Sequence, residues 1–233
     1  MKENRSVVRL LEILDLISKH EEGLTLGQIY RKLNIPKSTA YDFLKTLYQY
    51  DVVYYKDHRL RNYIIGSRLY IMGSSYKKNS KLIESVEREL KIYSNKYGKT
   101  TFINKSSDNE VVYIFKYQPT NSLIATSEEI GTVLSAKDKH PISQAFSIFN
   151  RDVSELSELE LEIYRKGYII SDNGNSGQIQ TIAVPIRNFE NRVIGVISAS
   201  DLYQEYKDPT EEIEELMSIG VVASKRLGYI ESI

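Results

Sequence analysis

The stretch LTLGQIYRKLNIPKSTAYDFLKTL, from Leu24 to Leu47, decides the fold. Its spacing predicts two short helices joined by a tight turn. Thr25 can cap the first, with Gln28 three residues on to close a capping box, and Leu26, Ile29 and Leu33 then recur at helical spacing. Asn34-Ile35-Pro36 is the expected turn, because Pro36 disfavours the α region at Ile35 and supplies a preset first helical position. In the second helix Ala40, Phe43, Leu44 and Leu47 fall at i, i+3, i+4 and i+7 and must face a core. That leaves Lys37, Ser38, Tyr41, Asp42 and Lys45 on the opposite side. Donors near a helix N-terminus, one ring and two cations are what a major-groove reader needs.

The next segment extends this reading. Asp51–Gly66, DVVYYKDHRLRNYIIG, holds two β-rich runs around Lys56-Asp57-His58. The expected hairpin carries Lys56, His58, Arg59 and Arg61 at its tip and second strand. Helix, turn, helix and basic hairpin in that order make a winged helix, with the wing laid along a phosphate backbone. Lys37, Lys45, Lys56, Arg59 and Arg61 would then bind phosphates, while Ser38, Thr39 and Tyr41 position the helix or touch bases. Asp42 could accept from a cytosine amino group or pair with Lys45. The competing reading of such a helix pair is a protein-interaction module that never meets DNA.

Charge separates the two halves of the chain. The 233 residues are formally neutral, with 31 Lys+Arg and 31 Asp+Glu. Residues 1–80 nevertheless hold 14 Lys+Arg and 8 Asp+Glu, +6, and residues 81–233 hold 17 and 23, −6. A basic head on an acidic body is expected when only one domain touches phosphate. There is no cysteine, so no disulfide framework, thiolate nucleophile or cysteine-based zinc site. His20, His58 and His140 show no ligand spacing, and no Ser-His-Asp set or phosphate loop is visible, so neither an enzyme, a metal nor a cofactor is expected. No run approaches a membrane span and Met1–Asn4 does not open a signal peptide, which points to a soluble, cytoplasmic chain without a membrane partner.

Along the chain, Ser6 is the expected cap of a first helix with a stripe of Val7, Leu10, Leu11, Leu14 and Ile17. Ser67–Lys78 is helical in pattern, and the boundary is expected near Asn79-Ser80. Residues 1–66 thus form a winged helix-turn-helix domain, 67–80 a linker helix and 81–233 a second domain. That domain should open with one long helix, Lys81–Tyr97, stopped by Gly98. Strands follow at Thr100–Asn104, Val111–Tyr117 and Ser122–Thr126, then helices at Pro141–Phe149 and Ser154–Lys166. Strands at Thr181–Ile186 and Val193–Ser200 and a final helix over Pro209–Leu227 complete it. The fold class is α+β with one mostly antiparallel sheet.

The last hairpin is the informative part of this second domain. If Asn188–Asn191 is a four-residue loop, Arg187 opposes Arg192, Thr181 faces Ser198, Ala183 faces Val196 and Ile182 faces Ile197. One face is then Ile182, Val184, Ile186, Val193 and Ile197, a core. The other carries Thr181, Ala183, Val196, Ser198 and Ser200, small and hydroxylated, suited either to a small polar ligand or simply to water. The run Ser171–Gly177 could be a loop folding over such a ligand, or only a turn.

In this order the elements resemble the IclR family of bacterial transcription regulators over nearly the whole chain. SVVRLLEIL, GLTLGQIYRKLNIPKSTAYDFLKTL and the wing are similar to its winged helix-turn-helix; RKGYIISDNGNSGQIQTIAVPIRN, RVIGVISAS and SKRLG resemble its effector domain. The resemblance implies a GAF-like effector-binding domain, a homodimer or dimer of dimers on a palindromic operator in double-stranded DNA, and a small organic effector, a carboxylate or sugar-derived metabolite. It carries effector contacts onto Leu123 and Ala125 in the third strand, Ser171, Thr181, Ser198 and Ser200. The wing tip here lacks the family's usual glycine.

Overall fold

The computed structural model describes residues 3–107, 109–171, 179–204 and 207–230. The chain divides into two compact units, Met1–Asn79 and Ser80–Ile233.

The first unit is built as α1 (Arg5–Ser18), α2 (Leu26–Lys32), α3 (Lys37–Gln49), strands β1 (Val53–Tyr55) and β2 (Tyr63–Ile65), and α4 (Ser67–Asn79). The capping box at α2 forms in both directions between Thr25 and Gln28. Asn34 takes the left-handed conformation, φ +50°, that closes the turn. Pro36 stands just ahead of α3 rather than inside its first turn. Ala40, Leu44 and Leu47 meet Ile13, Ile17, Ile29 and Val53 in one core, where each buried aliphatic side chain contributes roughly 1.5–3 kcal/mol. Two expectations for α1 are corrected. Asn4, not Ser6, is its cap, and Val7 and Leu11 do not join the core but stay more than half exposed.

The second unit contains α5 (Lys81–Glu84), α6 (Glu87–Tyr97), β3 (Thr100–Ser107), β4 (Glu110–Tyr117), β5 (Val133–Ser135), α7 (Pro141–Asn150), α8 (Glu158–Lys166), β6 (Ile169–Ile170), β7 (Ile179–Arg187), β8 (Val193–Leu202) and α9 (Thr210–Arg226). Its strands form one antiparallel sheet in the order β5-β4-β3-β8-β7-β6. The expected helix over Lys81–Tyr97 is broken, because Val86 N–H bonds back three residues to Ile83 and a tight turn separates α5 from α6. Ser122–Thr126 is not a strand; the edge strand is Val133–Ser135. α8 starts at Glu158 rather than Ser154, because Ser157 and Glu160 close a capping box there. One face of the sheet, with Ile103, Ile182, Val184 and Ile197, packs on α6 and α9. The other, with Phe102, Tyr113, Ala183 and Val196, packs on α7.

The β7–β8 register corrects the expected pairing. Arg187 opposes Val193, not Arg192, and Thr181 opposes Ser200, not Ser198; Ala183 opposes Ser198 and Ile182 opposes Ala199. Asn188 Oδ1 accepts from Glu190 N–H and Arg192 N–H, which makes the loop one residue longer than expected. A bulge beyond Ile186 leaves Ile194 unpaired and adds a second residue. A slip of two preserves which residues share a face, whereas a slip of one would have inverted it. Val193, beyond the bulge, is turned to the α7 side instead of the face with Ile182.

Gly66 sets the exit from the wing. A Cβ there would lie 2.1 Å from the Asp51 carbonyl oxygen, while Gly66 N–H donates to Val52 at 2.8 Å. Gly66→Ala is expected to lower the stability of the first unit by about 1–3 kcal/mol or more. Calorimetric melting would detect it as a shift of that unit's transition alone.

Candidate nucleic-acid interface and ligand face

The outer face of α3 is open. Lys37, Ser38, Tyr41, Asp42 and Lys45 are exposed and Thr39 is half-buried; Tyr41 is 50% exposed. Among the described residues no ion pair joins Asp42 to Lys45. A cleft of about 470 Å³ runs beside this helix, bounded by α2 and the wing and lined by Tyr30, Arg31, Lys37, Tyr41, Lys45 and Arg61 among others.

Sequence reasoning missed what holds the wing against that helix. Tyr55 of β1 packs on Tyr48 of α3 at 4.7 Å between ring centroids and on Tyr63 of β2 at 4.8 Å. The Tyr55 and Tyr63 hydroxyls are 3.1 Å apart. Burial, followed by the Tyr55 hydroxyl, pushes the Tyr63 pKa well up, so the Tyr63 hydroxyl stays neutral. Arg31 was also missed. Its Nε donates to the Gly27 carbonyl at 2.8 Å, which leaves the guanidinium lining the cleft. The visible signal was a tyrosine at each of positions 48, 55 and 63, read only as strand and helix formers.

The wing tip replaces a glycine with two local devices. Asp57 Oδ1 accepts from Arg59 N–H and Leu60 N–H, and Arg61 takes the left-handed conformation, φ +53°. His58, Arg59 and Arg61 are exposed. Lys56 differs from them, since its ammonium pairs with Glu22 at 2.9 Å and donates to the Glu21 carbonyl.

In the second unit, the hydroxyl-bearing face of β7 and β8 is buried rather than wet. Thr181, Ser198 and Ser200 are all at most 6% exposed. Thr181 Oγ1 and Ser200 Oγ are 2.9 Å apart, and Thr181 N–H donates to Ser171 Oγ at 2.8 Å. The third strand of the face adds two residues that sequence reasoning did not select. Asn104 Nδ2 donates to Ser198 Oγ at 3.1 Å and to the Val196 carbonyl, and Thr100 Oγ1 lies 3.3 Å from Ser122 Oγ. Alternation along β3 puts Asn104 on the side of Thr100 and Phe102, opposite Val196, and the bulge beside it falls on β4, where Ile114 is the extra residue. Four of the six expected effector residues are thus brought together. Leu123 and Ala125 are not. They lie on an irregular segment with Leu123 66% exposed, while Ile124 and Thr126 turn inward. The expected loop beyond Ser171, residues 172–177, lies outside the described residues.

At the far side of the face Tyr113 stands edge-on to Phe102 at 5.1 Å, and burial pushes its hydroxyl pKa up, with Glu128 adding to the shift. His140 caps α7 by accepting from Ile142 N–H at Nδ1. Burial lowers its pKa, which keeps that nitrogen free to accept.

A winged helix-turn-helix unit followed by a helix-flanked antiparallel sheet is the architecture of a two-part transcriptional regulator. Residues 6–57 match the IclR helix-turn-helix domain. The chain is 26% identical to the HTH-type transcriptional regulator XynR of Escherichia coli, over 97% of this chain and 98% of that one. It superposes on the IclR transcriptional regulator of Alicyclobacillus acidocaldarius with a TM-score of 0.80 at 22% identity, over 97% and 98% of the two chains. The fold is also that of an IclR homologue of Microbacterium hydrocarbonoxydans complexed with 4-hydroxybenzoate, TM-score 0.75 at 16% identity over 95% and 98%. Its first unit thus carries an IclR helix-turn-helix domain, and the relatives that the chain is similar to over nearly its whole length are transcriptional regulators rather than enzymes. Among the described residues no helix is long and apolar enough to cross a membrane.

The Thr181–Ser200 pair is expected to be the stronger support of the buried face. Thr181→Val leaves the Ser200 hydroxyl without its partner and should cost about 1–3 kcal/mol. Urea unfolding followed by far-UV circular dichroism measures the loss.

Proposed function

We propose that the chain binds a palindromic operator as a homodimer through α3 and the wing, and that a small organic effector on the buried polar face alters that affinity. Residues 1–66 would read DNA, 67–80 connect, and 81–233 sense. The carrying observation is the open face of α3: Lys37, Tyr41 and Lys45 stand exposed beside a cleft that also holds Arg31 and Arg61. Lysine and arginine there would neutralise phosphates, and Ser38, Thr39 and Tyr41 would meet base edges or orient the helix. Asp42, free of Lys45, is available to a cytosine amino group. Lys56 would contribute only if it left Glu22. A protein acting on operator DNA works in the cytoplasm. The alternative, a winged helix serving as a protein-interaction module, lacks a reason for four cations around one cleft.

The dimer is supported by an apolar surface on the first unit. Val7 and Leu11 of α1 and Tyr70, Ile71 and Met72 of α4 are all more than half exposed. A hollow of about 590 Å³ beside α1 is lined by Val8, Leu11, Leu14, Ile65 and Leu69, with Glu12, Asp15 and Ser18. A patch of this kind marks an interface, and a second copy covers it with self-complementary chemistry. Two recognition helices would then lie about 34 Å apart, one turn of duplex. The effector is supported by the buried hydroxyls and by a structural relative that carries 4-hydroxybenzoate.

Lys45→Ala and Arg59→Ala should weaken binding to all DNA sequences and each reduce the salt slope by about 1. Gel-shift titration of sheared genomic DNA at several salt concentrations checks both; unchanged affinity removes these residues from the interface. Leu11→Glu should convert the dimer to a monomer, read by light scattering. A dimer that persists moves the interface elsewhere.

A further inference from the structure

The polar face holds one cation that no family contact assigns. Lys116 of β4 stands directly opposite Phe102 of β3, and Phe102 stands opposite Ser198 of β8. Directly opposed residues project from the same side of a sheet, so Lys116 shares the face of Ser198 and Asn104. Its side chain is only 9% exposed. The ammonium donates to the Thr126 carbonyl at 3.2 Å and to Glu129 Oε1 at 2.5 Å. Glu129, by contrast, has a side chain 71% exposed. The pair therefore joins a buried cation to a carboxylate standing in water, and water competes for that carboxylate on easy terms.

A second, independent observation concerns acceptors. Asn104 Oδ1 and Thr126 Oγ1 are buried without a hydrogen-bond partner among the described residues. An unmade hydrogen bond of this kind costs about 1–3 kcal/mol. Asn104 already spends its amide N–H groups on Ser198 and Val196, so what it still offers is an acceptor. A ligand that satisfies it must donate. Strand spacing of about 4.8 Å puts the backbones of Lys116 and Ser198 roughly 10 Å apart, a span that a lysine side chain and a ligand of a few carbons bridge together.

We propose that Lys116 anchors the carboxylate of the effector, that Glu129 is its built-in competitor, and that the effector is a small hydroxy-carboxylate whose hydroxyl donates to Asn104 Oδ1. This rests on the reading of the polar face as the sensor site. Exchange of Glu129 for a ligand carboxylate conserves the charge count around Lys116, so it needs no new counter-ion. A neutral polyol could reach Asn104 but gains nothing from the ammonium. A cationic ligand would meet it as a like charge.

The test uses the full chain and matched probes: glycerate and gluconate against glycerol and glucitol, by thermal shift and isothermal calorimetry. The carboxylates should bind and their neutral counterparts should not. Lys116→Met should weaken the carboxylates at least about tenfold, and Lys116→Arg should largely keep them. Glu129→Gln should strengthen them severalfold, the opposite direction from any loss of packing, so it decides the matter even if Lys116→Met fails to fold. Carboxylate binding unchanged in Lys116→Met, weakened in Glu129→Gln, equalled by the neutral probes or absent altogether overturns the assignment. Thr181→Val with Ser200→Ala separates the two levels. If that double variant abolishes binding while the Lys116 and Glu129 variants do not, the sensor face stands and Lys116 is not its anchor. If it leaves binding intact, the sensor-face reading itself falls.

Discussion

The second unit depends on a constraint that most sheets avoid: its central strands bury hydroxyls and an amide where aliphatic side chains would pack more simply. Each such group must find a partner inside, because water is excluded. Thr181 answers Ser200, Asn104 answers Ser198, and Thr100 answers Ser122. The segment from Gln118 to Glu129 is irregular for the same reason. It gives up strand pairing and instead supplies carbonyls to side chains, Ile124 to Gln118 and Thr126 to Lys116. A face that satisfies its polar atoms pairwise, and leaves a few acceptors over, is specific about what may join it.

The first unit solves a different problem. A three-residue wing strand pair is too short to hold its place by backbone bonds alone. Tyr55 supplies what is missing by packing between Tyr48 and Tyr63, while Leu24 and Tyr63 exchange two backbone bonds that tie the wing to the entrance of α2. The wing's angle to α3 is therefore set by packed, mutually tilted rings, and the cations along the cleft inherit a fixed spacing from them.

What the sequence revealed follows from how local each decision is. The Thr25–Gln28 capping box, the left-handed Gly98 and the periodic face of α3 are settled within a few residues, and they were legible. The β7–β8 register depends on a loop held by Asn188 and a bulge at Ile194, which no periodicity announces. Face membership survived that error because strands repeat every two residues; Val193, past the bulge, did not. Leu123 and Ala125 were assigned to a strand that does not form, and the inward positions are their neighbours. Lys116 was invisible for a related reason: only strand pairing reveals that it shares a side with Ser198. Arg31 and Tyr48 came to the cleft through tertiary packing alone.

The alternation of side chains also ties the polar face to the helix behind the sheet. Thr100 and Ser200, paired on β3 and β8, face the polar side; their neighbours Lys99 and Asp201 project to the other side. There Lys99, about 5% exposed, lies 2.9 Å from Glu212 of α9 and 3.9 Å from Asp201. The closer contact is an ion pair without an aligned hydrogen bond, since among the described residues Glu212 Oε2 has no donor in line with it. Glu212 is held a second time by Lys207 at 2.6 Å. Removing Lys99 would leave the buried Asp201 without its lysine, and an uncompensated buried charge costs far more than the pair itself returns. The start of α9 is therefore fixed to the two strand residues that stand back to back with Thr100 and Ser200, and a shift of those strands cannot occur without straining a balanced set of buried charges.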